Sequence, residues 1–137
     1  MDVALRNLTY RRFVELGRAP LPEELGDRAE VLAGWRALHD AHALVLDGDA
    51  LRMAAPFSAV PTPHRVHAGG RWWHANCGWD AFGILAALHC DGEIATICPD
   101  CRAALVLVVR RHQPSDPSLV FHCLVPARQW WADIVFT

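Results

Sequence analysis

A chain of 137 residues and 15.2 kDa has room for one ordinary domain or two small ones sharing a core, which excludes a repeat array or a large multidomain enzyme. With 53% hydrophobic and 20% charged residues, it carries enough apolar material for a core and too little charge to stay disordered. Its 13 basic residues, every one an arginine, face 15 acidic ones and are spread over both halves, so nothing draws the chain as a whole toward nucleic acid.

Asp2 is placed to cap a first helix running to about Leu16, on which Val3, Leu5, Leu8, Phe13 and Leu16 form a loose apolar stripe, and Gly17 ends it. Beyond the connector Arg18-Ala19-Pro20, Pro22-Glu23-Glu24-Leu25 reads as a short second helix with proline at its first position, stopped by Gly26. Asp27 then caps a third, which carries Val31, Leu32, Trp35 and Leu38 at helical spacing and ends near His39. Residues 43–46 and 50–53 flank Asp47-Gly48-Asp49, a turn of residues that accept positive φ, and read as a hairpin. Three helices and a hairpin outline a winged helix. Its third helix would read DNA, but Arg28 and Arg36 are diluted there by Asp27, Glu30 and Asp40, so nucleic acid is not an expected partner and a packing module fits as well.

Pro56, Pro61 and Pro63 stiffen residues 56–64 into an extended linker. After it, Arg65 to Ala68, Gly69-Gly70 and Arg71 to Ala75 form a two-residue hairpin, and the proline-free apolar run Asp80 to His89 is a helix, which puts a strand-to-helix junction on Cys77. Glu93 to Cys98 and Cys101 to Arg110 read as two strands about a tight turn, Ser118 to Val125 as a third, Pro126 as the opening of a last helix or turn, and Phe136-Thr137 as the beginning of another strand. The expected fold class is α+β: a winged-helix-like three-helix part over residues 1–55, the linker over 56–64, and a mixed, mainly antiparallel sheet with helices over 65–137. The longest apolar run, Ala103 to Val109, is too short to cross a bilayer, and the start of the chain lacks a signal-peptide pattern, so a cytoplasmic protein with no membrane partner is expected.

The five cysteines, Cys77, Cys90, Cys98, Cys101 and Cys123, are an odd number and all lie in the second half; reduced thiols fit better than disulfides. In Asn76-Cys77-Gly78-Trp79-Asp80 a thiol and a carboxyl three residues apart share one face at a helix start. A helix N-terminus favours an anion, which would lower the Cys77 pKa toward the nucleophilic, metal-binding thiolate. Asp80, walled by Trp79, Phe82 and Trp72 or Trp73, would be desolvated and held protonated as a proton donor. The plainer reading makes Cys77 a small buried apolar residue and Asp80 a helix cap. Cys98-Pro99-Asp100-Cys101 has the shape of half a thiolate metal site, with His89-Cys90 and His122-Cys123 as the remaining ligands on offer; a reduced pair on a turn is the alternative. The eight histidines show no dense ligand spacing.

The runs Leu38-His39-Asp40-Ala41-His42-Ala43-Leu44-Val45-Leu46, Ala55-Pro56-Phe57-Ser58-Ala59-Val60-Pro61-Thr62-Pro63 and Asn76-Cys77-Gly78-Trp79-Asp80 resemble the organomercurial (alkylmercury) lyase family. The resemblance implies that residues 65–137 are its catalytic part and that the reaction is protonolysis of a carbon–mercury bond. Cys77 would be the first mercury-binding thiolate and Asp80 the proton shuttle, with Asn76, Trp79 and Trp73 about the substrate. No organic cofactor is implied; Hg(II), Zn(II) or copper at cysteines is, with Cys98, Cys101 and Cys123 as further ligands. The partners implied are a small organometal or other small substrate and a thiol reductant that accepts mercury. The family's second essential cysteine follows the segment that residues 130–137 resemble, and no residue here fills that role by alignment; the chain is therefore expected to bind mercury but cleave carbon–mercury bonds poorly, an extension beyond Thr137 beginning with Cys is expected to be far more active, and use of Cys123, on the preceding strand, would be a spatial substitution. Two alternatives stand beside this: a relative recruited to other thiol or metal-dependent chemistry in biosynthesis or detoxification, and a non-catalytic metal-binding sensor.

Overall fold

The carboxylate of Asp2 accepts the N–H of Leu5 at 2.9 Å and starts helix α1 (Val3–Leu16) in the computed structural model, which describes residues 2–135. Gly17, at φ +69°, closes α1 in the left-handed conformation that a residue with a Cβ adopts only at a cost. The expected second helix is a single 3-10 turn, Pro22–Glu24, held by Arg18 on Glu24 at 2.7 and 2.9 Å. Asp27 accepts the N–H groups of Ala29 and Glu30 and opens α2 (Arg28–Asp40), which buries Val31, Leu32, Trp35 and Leu38. The indole N–H of Trp35 is buried, and it donates to Thr9 Oγ1 at 3.0 Å, so the pairing of α1 with α2 leaves no orphaned donor there.

Eight strands follow: β1 (Val45–Asp47), β2 (Ala50–Ala54), β3 (Phe57–Ser58), β4 (Arg65–Ala68), β5 (Arg71–Ala75), β6 (Gly92–Ile97), β7 (Ala104–Arg110) and β8 (Gln113–Pro114). They form one sheet in the order β1-β2-β3-β5-β4-β6-β7-β8, and every pairing is antiparallel. The expected α+β class and mainly antiparallel sheet are found, and no parallel pair mixes into the sheet among the described residues. Short hairpins join β1–β2, β4–β5, β6–β7 and β7–β8, while the one helical crossover, α3 (Gly78–Leu88), carries the chain from β5 to β6, which lands antiparallel beside β4.

Two further expectations change. Phe57 and Ser58, inside the expected linker, are a strand that pairs with β2 on one side and β5 on the other, so the sheet runs unbroken from the N-terminal hairpin into the second half. Phe57 carries the core across with it, its ring 5.2 Å from Phe13 and 6.3 Å from Trp73. Ser118 to Val125 is not a strand. The free edge of β7 is taken at once by β8, and Pro114 and Pro117 remove two backbone donors from the returning chain, which then runs exposed and irregular past Val120 and Leu124. A 3-10 helix over Ala127–Ala132 follows Pro126, as expected, and the final strand expected at Phe136-Thr137 lies outside the described residues.

One buried cluster joins Phe13, Trp35 and Leu38 to Val66, Ile84, Leu85 and Ile94. Gly92 is tightly enclosed between β4 and α3: a Cβ there would stand 2.5 Å from the His67 carbonyl oxygen and 2.6 Å from Leu85 Cδ2. No helix among the described residues is long and apolar enough to cross a membrane.

Candidate active site

The junction expected at Cys77 is where the structure puts it. β5 ends at Ala75, whose carbonyl accepts the Thr62 hydroxyl at 2.6 Å, and the N–H of Asn76 donates to the Pro56 carbonyl at 3.3 Å. The chain is thereby pinned on both sides just before it enters α3. Cys77 is the N-cap, extended at φ −148°, and its Sγ accepts the N–H of Asp80 at 3.5 Å. Asp80 is the third helical residue and turns back over the same end.

Asn76 closes the group by donating from Nδ2 to Asp80 Oδ2 at 3.0 Å, while its own Oδ1 is buried with no partner. Burial pushes the Asp80 carboxyl above its ordinary range, and the Asn76 amide pulls it only part of the way back. An amide suits both protonation states: Nδ2 serves the carboxylate, and turned over, Oδ1 accepts from the acid.

Cys77 corrects the sequence argument. Burial is the largest influence on its thiol and pushes the pKa up; the N–H groups of Asp80 and Trp79 pull it down by less, and nearby charge on Asp80 and Cys123 adds to the rise. The helix start does act on this sulfur, but desolvation outweighs it. The free site holds a thiol and, beside it, a carboxyl biased toward keeping its proton.

Two neighbours escaped the sequence reading. Tyr10, on α1, donates its hydroxyl to the Ala43 and Ala55 carbonyls at 3.2 and 3.1 Å; burial raises its pKa, Arg6 pulls it back, and the charge of Asp80 adds the smallest share. Phe121 rests against Trp79 with ring centroids 5.7 Å apart, and its edge lies 3.8 Å from where a Cβ on Gly78 would sit. The irregular segment 118–125 therefore folds over the start of α3 and brings Cys123 within electrostatic reach of Cys77.

The aromatic wall expected around Asp80 is rearranged. Trp79 is 58% exposed and leans on Phe121, and Trp72 points away from the core, stacked on His67 at 4.5 Å. Trp73 is buried in the core against Phe57, its indole N–H without a partner. Alternation along β5 sends Trp72 and Trp73 to opposite faces of the sheet.

Cys98 and Cys101 lie at the tip of the β6–β7 hairpin, and Cys90 is half-buried against the core. The backbone N–H groups of Cys101 and Asp100, together with the Cys101 side chain, hold the Cys98 thiol below its ordinary pKa. Among the described residues, no three His, Cys, Asp or Glu side chains converge as a metal site, so the four-ligand zinc arrangement with His89-Cys90 and His122-Cys123 is not assembled. Several histidines have structural work instead: His39 Nδ1 accepts the Leu46 N–H, and His64 bonds Thr96 Oγ1 at 2.7 Å.

The strand-to-helix junction thus presents a free thiol and a partly buried carboxyl at i and i+3, joined through the Asp80 N–H on Cys77 Sγ and the Asn76 amide on Asp80. The sequence matches the family model of alkylmercury lyase (MerB) over residues 57–137, more than half its length, and the chain belongs to that family. Its fold is similar to that in a crystal structure of the mercury-bound form of MerB2, with a TM-score of 0.64 and 20% sequence identity over 85% of this chain. The chain spans 60% of the length of that protein. No curated protein matches the sequence.

Proposed function

We propose that this protein takes an organomercurial substrate on the Cys77 thiolate and cleaves its carbon–mercury bond by protonolysis, with Asp80 delivering the proton. The observation that carries the reading is the pairing of Cys77 with a carboxyl whose pKa burial raises, at the start of α3. Mercury is a soft cation and selects thiolate over the harder donors nearby, displacing the proton from Cys77 as it binds. Cys123 is the second thiolate in this scheme, supported by its influence on Cys77 and by the packing of Phe121 on Trp79. With two thiolates on mercury, the electron pair of the carbon–mercury bond stays with carbon, which takes the Asp80 proton and leaves as a hydrocarbon. Hg(II) remains on sulfur. The proton that Cys123 gives up on binding mercury restores Asp80, and two small thiols then carry Hg(II) away as its dithiolate and return their protons to Cys77 and Cys123, so no oxidant, reductant or organic cofactor enters the balance.

In this reading residues 1–55 are a packing module, and the need for reduced thiols suits a cytoplasmic setting. A DNA-linked sensor draws no support from α2, because Arg28 is paired with Glu23 and Arg36 with Asp49 at 2.6 Å. The direct test is methane release from methylmercury under excess thiol by the 137-residue protein, with Cys77→Ser and Cys123→Ser alongside. Release that depends on both cysteines supports the scheme; a folded wild-type protein that releases no methane overturns it.

A further inference from the structure

We propose that the hairpin tip Cys98-Pro99-Asp100-Cys101 is a second, exposed binding site for a thiophilic cation, which it takes between two thiolates. The inference rests on the turn alone and not on the lyase reading. The turn is closed twice by backbone: the Cys98 N–H donates to the Ala103 carbonyl and the Arg102 N–H to the Cys98 carbonyl, each at 2.9 Å. Pro99 fixes one dihedral inside the loop, and Arg102, at φ +62°, brings the chain back onto β7. This framework sets Cys98 and Cys101 three residues apart on one closed turn.

Both thiols are free, and Cys101 is exposed. With no third His, Cys, Asp or Glu converging on them among the described residues, the pair cannot make the closed tetrahedron that structural zinc requires. Two soft donors and an open side suit a cation content with two thiolates, of which Hg(II) is the probe of choice, and they give hard cations such as Mg(II) or Ca(II) nothing to bind. Chelation by a preformed pair should exceed binding by either thiol alone by about 10²–10⁴-fold.

The test is nondenaturing mass spectrometry of the reduced, full-length Cys77→Ser/Cys123→Ser variant after incubation with mercuric chloride and an excess of a monothiol. The expected result is one Hg(II) retained per chain, with retention weakened at least a hundredfold when Cys98→Ser or Cys101→Ser is added. Thermal melts of the added variants should match their parent, because the side chains changed are on the surface of a turn. Failure to retain mercury in the parent variant, retention indifferent to Cys98→Ser and Cys101→Ser, or a preference for one Zn(II) shared between two chains would each overturn the proposal. Methane release by the wild-type protein is unaffected by these outcomes, so failure here is distinguishable from failure of the proposed activity.

Discussion

Cys77 and Cys98 each follow a strand, and each sulfur receives backbone N–H groups, yet their thiols are pushed in opposite directions. Cys77 is half-buried at the start of α3, close to Asp80 and the segment that carries Phe121, and the cost of placing a charge there exceeds what the amides return. At the tip of the β6–β7 hairpin Cys98, only partly covered, meets the same kind of donor with less loss of water, and there the amides win. A helix N-terminus or a ring of N–H groups is thus only half of a thiol's electrostatics; the other half is the water it keeps. The same loss of water raises the pKa of Asp80 beside Cys77.

The comparison breaks first at Cys77. Cys77→Ser should abolish methane release from methylmercury while leaving a dithiol-bound Hg(II) at residues 98–101, as measured by headspace gas analysis and nondenaturing mass spectrometry. A smaller effect separates the thiols without any metal. In mildly acidic buffer, brief iodoacetamide treatment should label Cys98 before Cys77, the reverse of what a helix start alone implies, because reactivity follows the thiolate fraction. Peptide mapping with Cys77 labelled first would remove the role given to burial.

Phe121→Ala sharpens the point. Uncovering the start of α3 should let water reach Cys77 and bring its labelling rate closer to that of Cys98, with little change in melting temperature because the ring is 47% exposed. The smallest effect concerns Asp80 and stability. Its folded pKa is raised, so the carboxyl's stabilising contribution is fully present below the unfolded value and lost as pH rises through the folded one. At neutral pH the native state therefore carries a penalty that Asp80→Asn removes. The variant should melt higher than wild type at neutral pH, and the gap should close in acid; a gap that widens in acid would contradict the raised pKa.

Much of this architecture was legible because its signals are local. Asp2 and Asp27 before apolar helical stripes, Gly17 after one, and Gly69-Gly70 between alternating runs mark the same boundaries in sequence and structure. The Cys77 junction was readable for the same reason. What escaped depends on packing between distant segments. β3 is two residues among prolines, too short to carry a period, and it exists because β2 and β5 each offer it an edge. Tyr10 reads as one more residue of an amphipathic helix until α1 settles near α3. Phe121 and Cys123 alternate like a strand, but with the β7 edge already taken they become a cover over the site instead. The direction of the Cys77 pKa failed on the same ground, since local sequence shows the helix start and not the depth at which it ends up.

The claim at the centre is that Cys77 holds the metal while Asp80 supplies the proton, two roles on one turn of helix. Asp80→Ala, incubated with methylmercury, measures them together: adduct on Cys77 by mapped mass, and methane by headspace analysis. General-acid catalysis is worth about 10²–10⁴-fold, so the account predicts a full methylmercury adduct on Cys77 with methane release reduced by that factor relative to wild type. Methane release at the wild-type rate from the Asp80→Ala protein would contradict it.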